Sequence, residues 1–383
     1  MFFKDIPGHQ QVKDQLIASV IRDRIPHAQL ILGRNGVGHL PLALAYISYI
    51  MCLDRLPTDS CGECKACQKT HQFIHPDVHW SMPVIGVKDK LRREVTSNDF
   101  LPQWRDMLRD QPYATMAHWM QEINSDNKQA DINVKECNTI MQKLGLKSFE
   151  SDYKILLMWM PEYLGQEGNR LLKLIEEPTD NTILLLVAQD QQRILNTILS
   201  RCQVTYVHDV SVSDLAAHLQ TKHSLPADQA DTIARAADGS VYKALSLMTT
   251  DSIDYAGVLL EWLRVAFKAD PVAMQSLVDQ LNGWPKAQQQ YFYEYGISFF
   301  REYMAYLING QPSPRLSTAE QETVENMRRI IDLDKAESIT NILSDCIDAL
   351  ARNLNMRVQL MAHSLTISML LKSTEKVVTL YRI

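Results

Sequence analysis

Short unbroken apolar runs alternate with stretches of helical period over the first half of this chain. Val12–Arg22 spaces its apolar residues three and four apart and predicts a helix. Gln29–Leu32 is a short apolar run ending in Gly33, and Leu40–Asp54 predicts a long apolar helix. Lys135–Leu144 is helix-like again and is followed by the apolar run Ile155–Met160. Gly168–Glu177 predicts a helix stopped by Pro178, because proline cannot continue the hydrogen-bond ladder. Ile183–Ala188 is a further buried-strand candidate. Strands alternating with helices predict a parallel sheet with helices on its faces.

The β pattern stops after about Val207. Ser213–Gln220, Ala227–Ala237 and Val241–Met248 predict three short helices, with Asp238-Gly239 as a break. From Tyr255 onward the pattern is helical and amphipathic, including Tyr291–Leu307, Lys335–Leu354 and Val358–Leu371. Residues 79–130 fit neither pattern, and their proline, polar residues and tryptophans predict an insertion. The expected organisation is an α/β domain over 1–207, a three-helix lid over 208–250 and an all-α domain over 251–383.

Composition narrows the function classes. The 383 residues are 46% hydrophobic and 22% charged, which is globular and long enough for two or three domains. A net charge of -6 argues against a free-standing non-specific DNA binder, which is usually basic. Met1–Asp5 leads straight into Ile6-Pro7-Gly8 without the apolar core of a secretory signal. The longest apolar stretch, Leu40–Leu53, is shorter than the roughly 18 residues a membrane span needs. A cytoplasmic protein without membrane contact is expected.

Gly33-Arg34-Asn35-Gly36-Val37-Gly38-His39-Leu40 has the glycine spacing of a phosphate loop, G-x-x-x-x-G-K-[ST], between a predicted strand and a predicted helix. Gly33, Gly36 and Gly38 suit a backbone that turns its N–H groups toward phosphate oxygens at a helix N-terminus. The lysine that reaches the β- and γ-phosphates is replaced by His39, and the hydroxyl that holds Mg²⁺ by Leu40. The strand Ile155–Met158 runs into Trp159-Met160-Pro161, so its first following carboxylate is Glu162. Loss of lysine, hydroxyl and acid together predicts a site that hydrolyses nothing and holds no ATP.

Four of the seven cysteines cluster, which reads as metal ligation in a reducing compartment. Cys61-Gly62-Glu63-Cys64-Lys65-Ala66-Cys67 spaces three thiols two residues apart, and Cys52 lies just upstream. Four thiolates surround Zn²⁺ tetrahedrally and leave no open position, so a structural zinc is expected. An iron–sulfur cluster shares the spacing but expects a fourth cysteine followed by proline. The fourth-ligand candidates are Cys52, His71 and His75, with Cys52 ranked first. Cys137, Cys202 and Cys346 read as ordinary small core residues.

Several segments together resemble one family. Asn169-Arg170-Leu171-Leu172-Lys173-Leu174-Ile175-Glu176-Glu177-Pro178 is similar to the N-x-L-L-K-x-L-E-E-P helix of bacterial clamp-loader subunits, and Ser200-Arg201-Cys202 matches their Ser-Arg-Cys motif. Phe3-Lys4-Asp5-Ile6-Pro7-Gly8-His9 and His27-Ala28-Gln29-Leu30-Ile31-Leu32-Gly33 look like the family's opening segment and its approach to the phosphate loop. The cysteine quartet falls where these subunits carry a zinc module, here 52–75, and Asn353-Leu354-Asn355 resembles a stretch of the collar. The resemblance covers 1–78 and 132–207 tightly, continues by pattern to the C-terminus, and is absent over 79–130. Catalytic members keep an intact loop, so the altered loop points to the delta-prime type of the AAA+ clamp loaders of DNA polymerase III.

That resemblance implies an AAA+ parallel-sheet domain with an inserted zinc module, then a helical lid and an all-α collar domain that assembles a ring. It implies a subunit that is not an enzyme by itself but a component of the DNA polymerase III holoenzyme. Its implied partners are gamma/tau-type ATPase and delta-type subunits, the sliding clamp and primer-template DNA. Arg201 is implied to reach a neighbour's ATP as an arginine finger in trans. Outside such a motif, the same arginine would read as a surface ion pair. Glu176 and Glu177 point about 100° apart on a helix and read as cap and surface charge, not as an acid–base pair. Lys243 sits where active members place a nucleotide-sensing arginine and reads as packing or solvated. The rival reading is an AAA+ ATPase active with non-standard loop ligands, which tight ATP binding and turnover by the isolated chain would establish. A zinc-dependent DNA adaptor would instead bind DNA alone with steep salt dependence.

Overall fold

A computed structural model of the chain describes residues 1–86, 94–123, 129–249, 254–311, 313, 316, 318–351 and 354–372. It divides into two compact units, Met1–Leu247 and Met248–Ile383.

The first unit is built on five parallel strands, β1 (Ala28–Gly33), β2 (Val78–Ser81), β3 (Lys154–Trp159), β4 (Thr182–Ala188) and β5 (Gln203–Val207), in the order β2-β3-β4-β1-β5. Its helices are α1 (Gln10–Ile21), α2 (His39–Met51), α3 (Lys65–His71), α4 (Leu101–Asp110), α5 (Met116–Glu122), α6 (Val134–Gly145), α7 (Leu172–Glu176), α8 (Asn196–Leu199), α9 (Val212–His223), α10 (Ala227–Ala236) and α11 (Val241–Thr249). This is the α/β architecture, a parallel sheet with helices on its faces, that the sequence pattern predicts.

Strands β1, β3 and β4 are buried along their whole length, which is why they read as continuous apolar runs. Alternate residues serve opposite faces. Ile31, Ile155, Leu157, Trp159, Ile183, Leu185 and Val187 join a core with α1 and α2. Leu30, Leu32, Leu156, Met158, Leu184 and Leu186 join a second core with α6, α7 and α8. The sheet is thus clamped between two helix layers, each held by burial worth about 1.5–3 kcal/mol per large side chain.

One sequence expectation needs correction, and the segment 79–130, expected as an insertion, gains a definite place: its first residues lie in β2, which pairs with β3 through Val78–Ile155 and Ser81–Met158. Its helices α4 and α5 enter the first core: the Trp104 ring lies tilted 5.2 Å from Trp159 and edge-on 5.5 Å from Trp119, and Trp119 Nε1 donates to the Pro83 carbonyl at 2.8 Å. The helix expected over Gly168–Glu177 is instead a 3-10 segment over Gly165–Leu171 followed by the short α7.

The second unit is helical: α12 (Tyr255–Lys268), α13 (Pro271–Asn282), α14 (Lys286–Asn309), α15 (Thr318–Met327), α16 (Leu333–Ala351) and α17 (Met356–Lys372). Helix α14 packs along α16, and α17 packs on α12 and α13. Phe292, Tyr293, Phe300 and Tyr303 on α14 are fully buried, and Trp262 Nε1 donates to Ser364 Oγ at 2.8 Å. Among the described residues, no helix is long and apolar enough to cross a membrane. Asn353 of the collar-like stretch lies outside the described residues.

Candidate functional site

The glycine loop joins the end of β1 to the start of α2, as its sequence context predicts. Gly36 and Gly38 have φ of +75° and +114°, backbone that only glycine adopts without strain. Gly38 caps α2 without a side-chain hydrogen bond.

The two residues in the lysine and hydroxyl positions lie inside the protein. Leu40 is 1% exposed and belongs to the first core. His39 is 4% exposed, and neither ring nitrogen has a hydrogen-bond partner among the described residues. Burial, with a smaller contribution from His9, pushes its pKa down to about 4, so it is neutral at pH 7. The His9 ring nitrogen Nε2 meets the Val37 carbonyl at 2.8 Å. A Cβ at Gly38 would lie 3.5 Å from the Tyr113 ring, so the segment 79–130 reaches the loop.

The loop's own polar groups are engaged by the rest of the unit. Arg34 donates from Nε to Asp209 Oδ1 at 2.8 Å and from Nη2 to the Asp238 carbonyl at 3.1 Å. Asn35 accepts from Ser240 Oγ at its carbonyl, 3.2 Å, and from Gln189 Nε2 at its side chain, 3.0 Å. Gly36 accepts from the Tyr242 N–H. Glu162, buried after β3, accepts the backbone N–H groups of Gln189 and Asp190 on Oε1 at 2.5 and 2.8 Å. That carboxylate fastens the end of β4. The set does not fit a Mg²⁺–ATP ligand shell: it offers no lysine, no hydroxyl after it, and an arginine already paired with carboxylate.

The cysteines behave differently. Sγ atoms of Cys52, Cys61, Cys64 and Cys67 all lie within 4.8 Å of one another. Cys52–Cys61 and Cys61–Cys67 are 3.6 and 3.8 Å apart. A tetrahedron with Zn–S bonds of about 2.3 Å has edges of about 3.8 Å, so the quartet fits Zn²⁺. The chain wraps the sulfurs as a knuckle: Cys61 N–H donates to Cys52 Sγ, Cys64 N–H to Cys61 Sγ, and Cys67 N–H to Cys64 Sγ at 3.3–3.4 Å. Burial pushes the Cys52 and Cys67 thiols up, a direction that a bound dication reverses by holding thiolates. The other fourth-ligand candidates are not in the quartet. His71 packs edge-on against Phe2 with ring centroids 4.5 Å apart, and His75 faces Glu150 at 3.4 Å while accepting the Asp77 N–H.

Arg201 follows α8 in the turn before β5, with its side chain 36% exposed. Its Nε donates to Glu176 Oε1 at 2.5 Å. Its Nη1 donates to the Thr197 carbonyl at 2.9 Å and to Ser200 Oγ at 3.1 Å. Sequence reasoning assigned Glu176 to a cap and surface charge and did not pair it with Arg201, although the two lie in the motifs that carry the family resemblance. Lys243 is buried beside the loop-contacting Tyr242.

The profile of the family described as DNA polymerase III, delta subunit, matches residues 8–211, just over half of the chain. The DNA polymerase III subunit delta' of Bacillus subtilis is 26% identical over 194 residues, covering 50% of this chain and 45% of that one. Subunit delta' of Pseudomonas aeruginosa is 27% identical over 177 residues, covering 46% and 41%. Subunit tau/gamma of Haemophilus influenzae is 24% identical over 251 residues, covering 64% and 30%. The matched part of the chain spans less than half the length of each of these relatives. Among solved structures, a gamma subunit-related protein of Thermotoga maritima aligns with a TM-score of 0.38 at 13% identity, covering 93% of this chain and 98% of that one.

Proposed function

From the premise that this chain belongs to the delta-prime clamp-loader family of DNA polymerase III, we propose that it is a non-catalytic subunit acting on a neighbour's nucleotide. In this reading its own phosphate loop is degenerate and stays without ATP. Arg201 crosses to the adjacent gamma/tau-type ATPase and stabilises charge that builds on the γ-phosphate during hydrolysis. Arginine suits the task because it is always charged and presents a planar fork of donors. Fingers of this kind are worth roughly 10³–10⁵ in rate in well-studied NTPases.

The ring implied by the family contains a delta-type subunit and places a sliding clamp on primer-template DNA in the cytoplasm. The second unit would form the collar of that ring, with 208–250 as lid and 1–207 as the AAA+ domain. The Cys52, Cys61, Cys64 and Cys67 thiolates would hold a structural zinc. A closed four-sulfur shell offers no position for substrate, so its contribution is to fold the loop between α2 and α3.

The observation that carries the reading is a contrast within one chain. In the loop that should hold phosphate, His39 stands at the lysine position 4% exposed and Leu40 at the hydroxyl position lies in the core, whereas the Arg201 side chain is 36% exposed and its Nη2 lies outside the three hydrogen bonds it makes. The test is DNA- and clamp-stimulated ATPase of the reconstituted complex, wild type against Arg201→Ala, after both are shown to assemble. A partial fall in turnover supports the finger, since other sites in the ring keep theirs. Equal rates would leave an AAA+ scaffold with a different use.

A further inference from the structure

We propose that Glu176 is a positioning residue for Arg201, holding its guanidinium so that Nη2 is left for a phosphate oxygen of the neighbouring subunit's ATP. The proposal rests on the finger reading above and adds to it a residue from a different motif.

A guanidinium has five N–H groups in one plane. Three of those on Arg201 are accounted for within the chain: Nε on Glu176 Oε1, and the two Nη1 hydrogens on the Thr197 carbonyl and Ser200 Oγ. The remaining two are on Nη2. Because the fork is rigid, fixing Nε and Nη1 fixes the direction of Nη2. Thr197 and Ser200 belong to the same short stretch as Arg201, whereas Glu176 ends α7 and ties the guanidinium to a separate element.

The pair has little to do for folding. Both side chains are substantially exposed, at 36% for Arg201 and 46% for Glu176, and exposed ion pairs contribute little to stability. What the contact does accomplish is order. A free arginine samples many rotamers, and holding it in the reactive geometry beforehand removes that loss from the transition state. The carboxylate also repels phosphate, so its geometric and electrostatic effects oppose each other and substitutions separate them. Glu176→Gln keeps an acceptor for Nε without the charge, and Glu176→Ala removes both.

The experiment is steady-state ATP hydrolysis by the complex reconstituted with gamma/tau-type and delta-type subunits, clamp and primed DNA. It compares wild type, Glu176→Ala, Glu176→Gln, Arg201→Ala and the double variant Glu176→Ala/Arg201→Ala, each checked for assembly. Glu176→Ala is expected to lower kcat by a fold-change no larger than that of Arg201→Ala, with KM for ATP unchanged, because positioning acts on the transition state through the arginine. Glu176→Gln is expected to restore most of that loss. The double variant is expected to match Arg201→Ala alone, since the glutamate acts only through the arginine. A Glu176→Ala complex at or above the wild-type rate, or losses that multiply in the double variant, would overturn the proposal. If Arg201→Ala lowers turnover while Glu176→Ala does not, the finger survives and only the positioning role is lost. If Arg201→Ala has no effect, finger and positioning role fall together.

Discussion

The backbone N–H of Tyr242 donates to the carbonyl of Gly36 at 3.2 Å, tying the glycine loop to the first turn of α11. Phosphate loops bind by pointing free N–H groups into an open concavity. Here α11 stands against the loop's central glycine, and the Arg34–Asp209 and Ser240–Asn35 contacts flank it. These bonds hold carbonyl oxygens and side chains rather than the loop's N–H groups, so what the loop lacks for Mg²⁺–ATP is the lysine and the Mg²⁺-binding hydroxyl.

The isolated chain is accordingly expected to show no saturable binding of Mg²⁺–ATP at millimolar concentration. Calorimetric titration of the purified protein reads this directly. Micromolar affinity would mean that the loop opens in solution, and it would bring forward the active-ATPase alternative.

Gly36→Ala tests the closed loop through stability. At a φ of +75°, an alanine is strained by roughly 1–2 kcal/mol, and its Cβ would sit 2.6 Å from the Tyr242 Cβ. A loss of about 2 kcal/mol or more is expected in urea unfolding of the first unit's transition. A neutral substitution would show that α11 leaves the loop readily.

The central strands were legible because burial on both faces leaves an unbroken apolar run, as in Ile183–Ala188. Strand β2 was not, because Val78-His79-Trp80-Ser81 is only four residues long and mixes polar with apolar side chains. The tryptophans of 79–130 suggested an insertion without saying where it packs; Trp104 and Trp119 complete the core around Trp159, and local composition carries no information about which distant face a ring will fill. The cysteine quartet was readable because its ligands are close in sequence and their spacing is itself the geometry. The contacts that define the other site features, Tyr242 to Gly36 and Glu176 to Arg201, join segments far apart in the chain and have no local signature.

Zinc content should be close to one per chain in protein purified without chelator. Cys67→Ala removes a fully buried ligand and is expected to abolish that content and lower Tm by about 5 °C or more. His71→Ala should retain the metal, because His71 packs against Phe2 outside the sulfur quartet. Elemental analysis of the three proteins decides between four cysteines and three cysteines with a histidine. A folded wild type free of zinc would sink the metal assignment altogether.

His39 makes the proposed inertness of the phosphate loop testable as a pH effect on stability. In the unfolded chain a histidine titrates near 6.5, whereas burial holds folded His39 at about 4. Between those values the unfolded state binds a proton that the folded state refuses, so acid favours unfolding. The contribution is fully present above about pH 6.5 and is lost as pH falls toward 4, amounting to about 3 kcal/mol by the linkage relation. His71, His79 and His218 are also pushed down to about 4 by burial, so the wild-type curve alone cannot assign the effect. The difference between wild type and His39→Leu isolates it, because the other groups are common to both proteins. Replacing a buried imidazole that lacks hydrogen-bond partners among the described residues with an apolar side chain is expected to be near neutral at pH 7.5. At pH 5 the variant should be more stable than wild type by about 2 kcal/mol in urea unfolding. Parallel curves for the two proteins would mean that His39 is protonated as easily in the folded chain as in the unfolded one. It would then be about one-quarter protonated at pH 7 and a cation in mild acid at the lysine position of the loop, and the case for an inert site would lose part of its chemical basis.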